Sequence, residues 1–299
     1  MAPRQKSQSG TELDPPFVVS SPGVQSTPFV VCSPHSGRAY PRQFLAQSRL
    51  DPLTLRKSED CFVDDLFAAA PALGAPLIAA QFPRAYLDVN REPYELDPEL
   101  FADPLPDYAN TSSVRVVGGL GTIARIVADG EEIYRNRIPV AQALDRIERL
   151  YLPFHATLSR LVEETRTQFG YSVLIDCHSM PSVQMAQSSG PRPDFVIGDR
   201  FGSSCDARLT RLLKEALVGQ GYDVQLNRPY AGGYITEHYG RPYKGVHAVQ
   251  IEINRGLYLD ERALEPSDGF AALKADLDDL LASLFVKVPA LFERRAAAE

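Results

Sequence analysis

The chain has 299 residues, 44% of them hydrophobic and 23% charged, which is ordinary for a soluble globular protein able to bury a sizeable core. A net charge of −7 without a basic cluster argues against nucleic acid or an anionic membrane as partner. The sequence has neither a run of roughly 20 apolar residues nor the apolar core of a signal peptide, so we expect a cytoplasmic protein.

The four cysteines lie far apart and form no CxxC pair, which favours reduced thiols in a cytoplasmic setting: Cys32, Cys61, Cys177 and Cys205. Cys177 lies in an apolar run, where a free cysteine is typical of a core. Because it precedes a histidine, a role as nucleophile or metal ligand stays open as an alternative.

In the first third of the chain, short apolar runs typical of strands alternate with a segment whose apolar residues have helical spacing. Residues 1–15 are typical of a disordered tail. The predicted elements that follow are a short edge strand at 17–20, a strand at 29–32, a helix from an acidic first turn at 58–60 through residue 70, and a strand at 75–82. Gly74 separates the helix from the last strand.

The middle of the chain begins with a long irregular segment. Residues 92–122 are rich in proline and include the run Gly118-Gly-Leu-Gly121, which follows no clear strand and is therefore a poor phosphate-binding loop. Two helices are predicted next, at 140–150 and 155–169.

In the second half, strands again alternate with helices. Strands are predicted from 171, at 194–199 and at 247–254; a helix capped by Asp206 ends near Gly219, and an amphipathic helix covers 270–285. This order predicts one α/β domain over 16–290 with a mostly parallel mixed sheet flanked by helices, and a frayed C-terminus at 291–299.

Two histidines follow apolar strands at the end where open α/β sheets bind ligands. His35 comes after the strand at 29–32, and His178 ends the run Tyr171-Ser-Val-Leu-Ile-Asp-Cys-His. Hydrolytic zinc sites take three protein ligands, often two histidines and a carboxylate, and leave one position for water. We therefore predict a single zinc ion between these strands, with a third ligand among Glu59, Asp60, Asp64 and Asp65.

Glu252 interrupts a strand that is otherwise apolar on alternate residues. A buried carboxylate without a partner is costly, so we expect either a proton-transfer role or a place on a solvated face of a peripheral strand. Beside a metal site, the first alternative makes Glu252 a general base.

The segment 84–91 carries Arg84, Asn90 and Arg91. Guanidinium groups bind carboxylates through two parallel hydrogen bonds, and an asparagine adds orientation, so a substrate-carboxylate site is one interpretation. A helix cap with a surface charge is the other.

Taken together, these segments resemble the N-formylglutamate amidohydrolase family. The matching stretches occur in order between residues 17 and 285 and are specific in combination: 33–41, 60–67, 88–91, 149–155, 176–179, 232–240 and 250–252. The resemblance implies the phosphorylase/hydrolase-like α/β fold of zinc carboxypeptidases and aspartoacylases. It implies hydrolysis of N-formyl-L-glutamate to formate and L-glutamate, at the end of histidine degradation.

The same resemblance implies roles for individual residues. Zinc would be bound by His35 and His178, with Glu252 as base and Arg84 polarising the scissile carbonyl. Asn90 and Arg91 would hold the substrate carboxylate. Ser179, Tyr234 and His238 would also border the substrate, whereas His155 and His247 are expected to be structural.

One position departs from the carboxypeptidase pattern. Those relatives often place a glutamate ligand three residues after the first histidine, where this chain has Arg38. Asp60, which aligns with a family aspartate, is the first choice for the third ligand, and Asp64 is the second. Specificity is expected to depend on residues 92–122 and 182–193. Another N-acyl amino acid or peptide substrate, or a non-catalytic amino-acid-binding protein, stays open, as does the oligomeric state.

Overall fold

A computed structural model of the protein describes residues 12–127, 130–182 and 193–296. These residues form one seven-stranded sheet flanked by helices, and a small ribbon of β8 (Leu259–Asp260) with β9 (Glu265–Pro266). None of the described helices has the length and apolar character of a bilayer-spanning segment.

The sheet is mixed and mostly parallel, as predicted. Its strands are β1 (Phe17–Ser20), β2 (Phe29–Ser33), β3 (Leu77–Ala80), β4 (Ser172–Met180), β5 (Phe195–Gly198), β6 (Val224–Leu226) and β7 (Val246–Asn254). They lie in the order β1-β3-β2-β4-β7-β5-β6. The four strands β3, β2, β4 and β7 are mutually parallel, whereas β1 and β5 pair with their neighbours β3 and β7 in antiparallel fashion.

Helices cover both faces of this sheet. They are α1 (Arg42–Gln47), α2 (Pro52–Arg56), α3 (Val63–Leu66), α4 (Val114–Val117), α5 (Val140–Arg146), α6 (Leu152–Phe169), α7 (Ala207–Gly219), α8 (Tyr234–Tyr239) and α9 (Phe270–Ala296). Short 3-10 turns lie at Pro98–Leu100, Pro242–Lys244 and Arg255–Leu257. The predicted cap of α7 is confirmed, because the Asp206 side chain accepts a hydrogen bond from the backbone N–H of Arg208.

Alternation along β4 divides the core into two clusters and directs the polar residues to one side. Val173, Ile175 and Cys177 pack into the cluster that also contains α7 and α9, whereas Leu174 packs into the cluster beneath α6. Because successive side chains of a strand point to opposite faces, Asp176 and His178 lie on the Leu174 face. The imidazole of His178 and the thiol of Cys177 therefore lie on opposite faces of the sheet.

The helix predicted over 58–70 is wrong in extent. Only Val63–Leu66 is helical, followed by turns to Gly74. The backbone N–H of Asp60 donates to the carbonyl of His35 (3.1 Å), so the acidic stretch is tied to the loop after β2. The acidic residues at 58–60 therefore do not form a helix's first turn.

The two helices predicted at 140–150 and 155–169 are one continuous helical segment. A π-helical turn at Ile147–Tyr151 joins α5 to α6, and the N–H of Leu152 donates to the carbonyl of Ile147. Pro153 lacks an N–H, but it comes just after this π-helical turn, where the i→i−4 hydrogen-bond pattern is already interrupted. A proline in this position therefore does not end the helix.

The predicted ends of the chain also need correction. Leu13 is buried against the core, so the described part of the predicted tail 1–15 is packed. Helix α9 continues past residue 285 and through the start of the segment 291–299 that was expected to be frayed. Residues 1–11, and most of the predicted specificity segment 182–193, lie outside the described residues.

Candidate metal centre and active site

The two strand-end histidines meet at the carboxyl edge of the sheet. His35 lies just beyond β2 and His178 lies within the adjacent β4, with ring centroids 4.8 Å apart. Both rings direct Nδ1 toward Asp60, whose Oδ2 is 3.0 Å from His178 Nδ1 and 3.4 Å from His35 Nδ1. One ligand atom from each of the three buried residues lies within 4.8 Å of the others.

The opposite nitrogens of both rings face carboxylates. His35 Nε2 is hydrogen-bonded to Asp88 Oδ1 (2.7 Å), and His178 Nε2 lies 2.9 Å from Asp176 Oδ1. A carboxylate on Nε2 fixes the ring tautomer and leaves the lone pair of Nδ1 for a metal. His35 therefore has the outer hydrogen bond that metal-ligating histidines usually have, and Asp176 lies beside the corresponding nitrogen of His178.

The donor set fits a zinc ion. Two imidazole nitrogens and one carboxylate oxygen form the three-ligand set of hydrolytic zinc sites, in which a fourth position stays open. His35 Nδ1 is buried and has no hydrogen-bond partner among the described residues. Buried polar atoms normally have a partner, and an ion among the three side chains would provide one.

Asp60 rather than Asp64 completes this cluster. Asp60 Oδ1 accepts from Arg255 Nη2 (3.1 Å) and lies 3.5 Å from Ser179 Oγ, which leaves Oδ2 directed at the histidines. Asp64 instead forms a salt bridge with Arg38 (3.1 Å) near the surface.

The pKa values in this cluster reflect strong mutual attraction. Burial would raise the pKa of Asp60, but the hydrogen bond from His178 and the nearby imidazole of His35 lower it well below its usual value. Burial would lower the pKa of His178, but the charge of Asp176 and the hydrogen bond to Asp60 raise it well above the ordinary range. Because metal ligands must be deprotonated, a dication bound among these side chains would displace protons from the two imidazoles.

Glu252 lies next to His178 across the β4–β7 ladder. Burial raises its pKa to about 7, against the opposing positive charge of His178. Gln250 Nε2 donates to Glu252 Oε1 (2.8 Å), and the backbone N–H of Gly233 donates to Gln250 Oε1 (2.8 Å). The predicted base is thus a buried carboxylate in a fixed position, not a residue on a solvated face.

Two arginines share a second buried aspartate. Arg84 Nη2 donates to Asp88 Oδ2 (2.8 Å), and Arg91 Nη2 lies 3.6 Å from the same oxygen. Burial would raise the pKa of Asp88, but the charges of Arg91, His35 and Arg84 lower it well below its usual value. Burial lowers the pKa of Arg91 to about 10, still far above neutrality, so both guanidinium groups stay charged.

A cavity of about 400 Å³ opens over these groups. Its polar lining comprises Lys57, Ser58, Asp60, Arg84, Asp88, Arg91, Ser179, Tyr230, Glu252 and Arg255. An apolar wall comes mainly from the segment that follows α4, including Leu120, Ala124, Ile126 and Val127. The cavity therefore brings Asp60 of the three-residue cluster together with Glu252 and several cations, and residues of the predicted 92–122 segment contribute to its wall.

Two residues predicted to contact substrate, Asn90 and Ser179, also hold other parts of the site in place. Asn90 Oδ1 accepts from the N–H of Ile235 (2.7 Å), and its Nδ2 lies 3.2 Å from His178 Nε2. Gly233 packs so closely on this amide that an added Cβ would lie 2.4 Å from Nδ2. Ser179 Oγ accepts from Arg255 Nε (3.0 Å) while still lining the cavity.

Tyr234 and His238 form an aromatic cluster with His155 on α8 and α6. The Tyr234 and His238 rings stack with centroids 4.9 Å apart, and neither is among the described residues that line the cavity. His155 is hydrogen-bonded to Tyr239 Oη and to the Val89 carbonyl, and burial lowers its pKa to about 4. His155 is thus a satisfied, buried side chain, consistent with the structural role expected for it.

Cysteine chemistry has little support in this arrangement. Cys177 is fully buried on the opposite face of β4, and burial raises the pKa of its thiol well above the usual value. A thiolate nucleophile requires a lowered pKa and access to substrate. The four cysteines are all free and buried.

Several supporting residues had no assigned role in the sequence. Asp176 stands two residues before His178 on the same strand face, and this spacing is a signal that could have identified it. Asp88 belongs to the matching segment 88–91, in which only Asn90 and Arg91 had a predicted role. Gln250 lies within β7 and Arg255 directly follows it, and no sequence pattern predicts their contacts.

The chain matches known proteins along most of its length. The sequence model of N-formylglutamate amidohydrolase matches residues 27–259. The chain is 32% identical to an N-formylglutamate deformylase of Pseudomonas putida, over 78% of this chain and 82% of that protein. It is 33% identical to the N-formylglutamate deformylase of Pseudomonas aeruginosa, over 75% and 80% respectively.

Solved structures agree with these matches. A crystal structure of N-formylglutamate amidohydrolase from Ralstonia eutropha superposes with a TM-score of 0.84 at 36% identity, covering 93% of this chain and 99% of that one. A gene product of Agrobacterium tumefaciens shares the fold, with a TM-score of 0.66 at 19% identity over 91% and 95% of the two chains. The sequence matches, together with the first of these structures, establish that the chain belongs to the N-formylglutamate amidohydrolase family.

Proposed function

We propose that this protein is a zinc-dependent amidohydrolase that cleaves N-formyl-L-glutamate to formate and L-glutamate. His35, Asp60 and His178 would bind the single zinc ion, and the reaction would belong to the end of histidine degradation. The names of the Pseudomonas and Ralstonia relatives support the substrate.

The observation that carries this proposal is the convergence of three ligand atoms beside a buried glutamate. The nitrogens and carboxylate oxygen of the cluster lie within 4.8 Å of one another, and the glutamate at the adjacent ladder position lines the same cavity. When bound there, a zinc ion supplies Lewis acidity, which lowers the pKa of water and polarises a carbonyl oxygen.

Glu252 would transfer the proton twice. A pKa of about 7 allows its carboxylate to accept a proton from the attacking water and its carboxylic acid to donate that proton to the departing amine. Because Gln250 donates to Oε1, Oε2 is the oxygen that would exchange the proton. The formyl carbon gains the water oxygen, and its bond to nitrogen breaks.

The two arginines would have different roles, one in stabilising charge and the other in binding substrate. Arg84 would stabilise negative charge that develops on the carbonyl oxygen, a role in which loss of one donor commonly costs about 100- to 1000-fold in rate. Arg91 would bind the substrate α-carboxylate. Asn90 would assist by keeping His178 and the α8 start in place, as its contacts with His178 and Ile235 support.

Formate release by the purified, zinc-loaded protein tests the substrate. We expect N-formyl-L-glutamate to be cleaved faster than N-acetyl-L-glutamate or a dipeptide. Equal or faster cleavage of N-acetyl-L-glutamate or the dipeptide would indicate that the preferred substrate is another N-acyl amino acid or a peptide. Absence of any turnover would favour a non-catalytic amino-acid-binding protein.

The Glu252→Gln variant tests the assignment of the base. General acid–base catalysis typically contributes about 100- to 10,000-fold, so we expect a loss of kcat in that range with the zinc content unchanged. Measured zinc stoichiometry provides the control. Retention of wild-type kcat would exclude Glu252 as the base.

A further inference from the structure

Four cationic side chains line the cavity, and most N–H donors of one of them already bond to other protein groups. Arg255 is 5% exposed and donates to the carbonyls of Lys57 and Glu59, to Ser179 Oγ and to Asp60 Oδ1. Its charge is balanced by Asp60. With four of its five N–H donors engaged, Arg255 holds Asp60 in place and lacks the two parallel donors that a substrate carboxylate would take.

The other two arginines carry together one positive charge more than the carboxylate that they share. Arg84 and Arg91 both face Asp88, so two guanidinium groups share a single carboxylate. Both arginines line the cavity. One excess positive charge suits one substrate carboxylate, the α-carboxylate of the proposed reaction.

Lys57 provides a further positive charge from a different segment. It lines the same cavity and forms no salt bridge with any residue in the described ranges. Its backbone is held on both sides, because its N–H donates to the Thr54 carbonyl (3.2 Å) and its own carbonyl accepts from Arg255 Nη1 (3.0 Å). The position of this lysine is thus fixed to the metal cluster through Arg255, while its ammonium group is left for a ligand.

These two excess charges match a ligand with two carboxylates. An N-acylated acidic amino acid carries one carboxylate at the α-carbon and one at the end of its side chain. Leu120, Ala124 and Ile126 form an apolar wall in the same cavity, which suits the methylene groups between them.

We propose that Lys57 binds the side-chain carboxylate of the substrate and thereby selects N-acylated acidic amino acids over their neutral analogues. This inference rests on the proposed function, since it assigns the substrate's second carboxylate at the same site. Lys57 is then a specificity-determining residue that takes no part in the bond cleavage.

Kinetics of the Lys57→Met variant with a charged and a neutral substrate test the proposal. For N-formyl-L-glutamate we expect kcat/KM to fall about 10- to 150-fold, mostly through KM, as for loss of a hydrogen bond to a charged group. For N-formyl-L-glutamine, which has the same shape without the charge, we expect a change of less than about 3-fold because no ion pair is lost. Turnover of this neutral substrate also shows that the variant is folded.

Two further variants serve as controls. Lys57→Arg keeps the charge and should retain most of the preference for N-formyl-L-glutamate. Lys274→Met removes a positive charge from α9, where Lys274 pairs with Asp278, and should leave both substrates unaffected. An equal loss with both substrates in Lys57→Met, or no loss with the charged one, would overturn the proposal.

Binding of L-glutamate and L-glutamine by calorimetry separates this inference from the proposed function. If the wild-type protein releases no formate but binds L-glutamate more tightly than L-glutamine, and Lys57→Met removes that difference, the inference stands while the proposed function fails. If the wild-type protein shows no such preference in binding or in turnover, the inference fails. Normal formate release with an unchanged preference in Lys57→Met overturns the inference alone.

Discussion

Asp60 and Asp88 have similar surroundings but are expected to differ in role. Both are buried, and each has one oxygen near a histidine and the other near an arginine. The difference is which imidazole nitrogen each one meets. Asp60 faces Nδ1 of both His35 and His178, where an ion would sit, whereas Asp88 bonds only to Nε2 of His35, on the far side of the ring.

The comparison shows that burial, charge and residue type do not by themselves identify a metal ligand. A carboxylate on the outer nitrogen of a ligating histidine orients the ring and makes its other nitrogen a better donor. A carboxylate that shares the inner side with two histidines is the one expected to bind an ion. The geometry of the imidazole rings is thus the reason to propose Asp60, and not Asp88, as the metal ligand.

Removing the proposed ligand should have the largest effect. In Asp60→Ala we expect zinc stoichiometry near zero and a loss of formate release on the order of 1000-fold or more, because the Lewis acid is worth several kcal/mol of transition-state stabilisation. Elemental analysis and the formate assay measure both quantities. An Asp64→Ala variant is the matched control, and loss of zinc in that variant instead would make Asp64 the ligand.

Substitution of Asp88, the aspartate on the outer side of His35, should have a milder effect. Outer partners of metal ligands typically account for about 10- to 100-fold in metal affinity or activity, so Asp88→Asn should bind zinc more weakly but still be loaded at high zinc concentration. Zinc titration with a competing chelator measures the affinity. Complete loss of zinc in Asp88→Asn at saturating metal would contradict the different roles proposed for Asp60 and Asp88.

The pH dependence should be the smallest effect and should not arise from either aspartate. Both have pKa values well below the usual range, whereas burial raises that of Glu252 to about 7. A base acts only when deprotonated, so log kcat/KM should fall by one per pH unit below the Glu252 pKa. A bound dication opposes the effect of burial, which places the midpoint at or below about pH 7.

A pH–rate profile with zinc content measured at each pH checks this expectation. Loss of zinc in parallel with activity would assign the acid limb to the ligands. A midpoint well above pH 7 would contradict the assignment to Glu252.

Residue pattern was sufficient to predict the sheet and the central residues of the site. Strands β2, β4 and β7 were evident from their apolar runs, and parallel strands bring their carboxyl ends to one edge, so His35, His178 and Glu252 converge as expected. The third ligand depended on the family resemblance, because four carboxylates lay within seven residues. In the structure, a backbone hydrogen bond ties Asp60 to His35, and Asp60 is the one of these four carboxylates that lies beside both histidines.

Other features depend on tertiary contacts that a single sequence does not contain. The acidic stretch at 58–60 was interpreted as a helix start, but burial of Asp60 against β2 outweighs helix propensity there. The role of Arg255 comes from four hydrogen bonds to distant segments. The position of Lys57 at the cavity likewise depends on a long-range contact, because Arg255 binds its backbone carbonyl.

The close approach at Gly233 has a consequence for the whole catalytic edge. Its backbone N–H supports the amide of Gln250, which in turn contacts Glu252, while its α-carbon rests against Asn90, the neighbour of His178. A single hydrogen atom in place of a side chain therefore lets one backbone unit support both the proposed base, Glu252, and the proposed metal ligand His178. Any bulkier residue there would disturb these two functions together, so they cannot vary independently at this position.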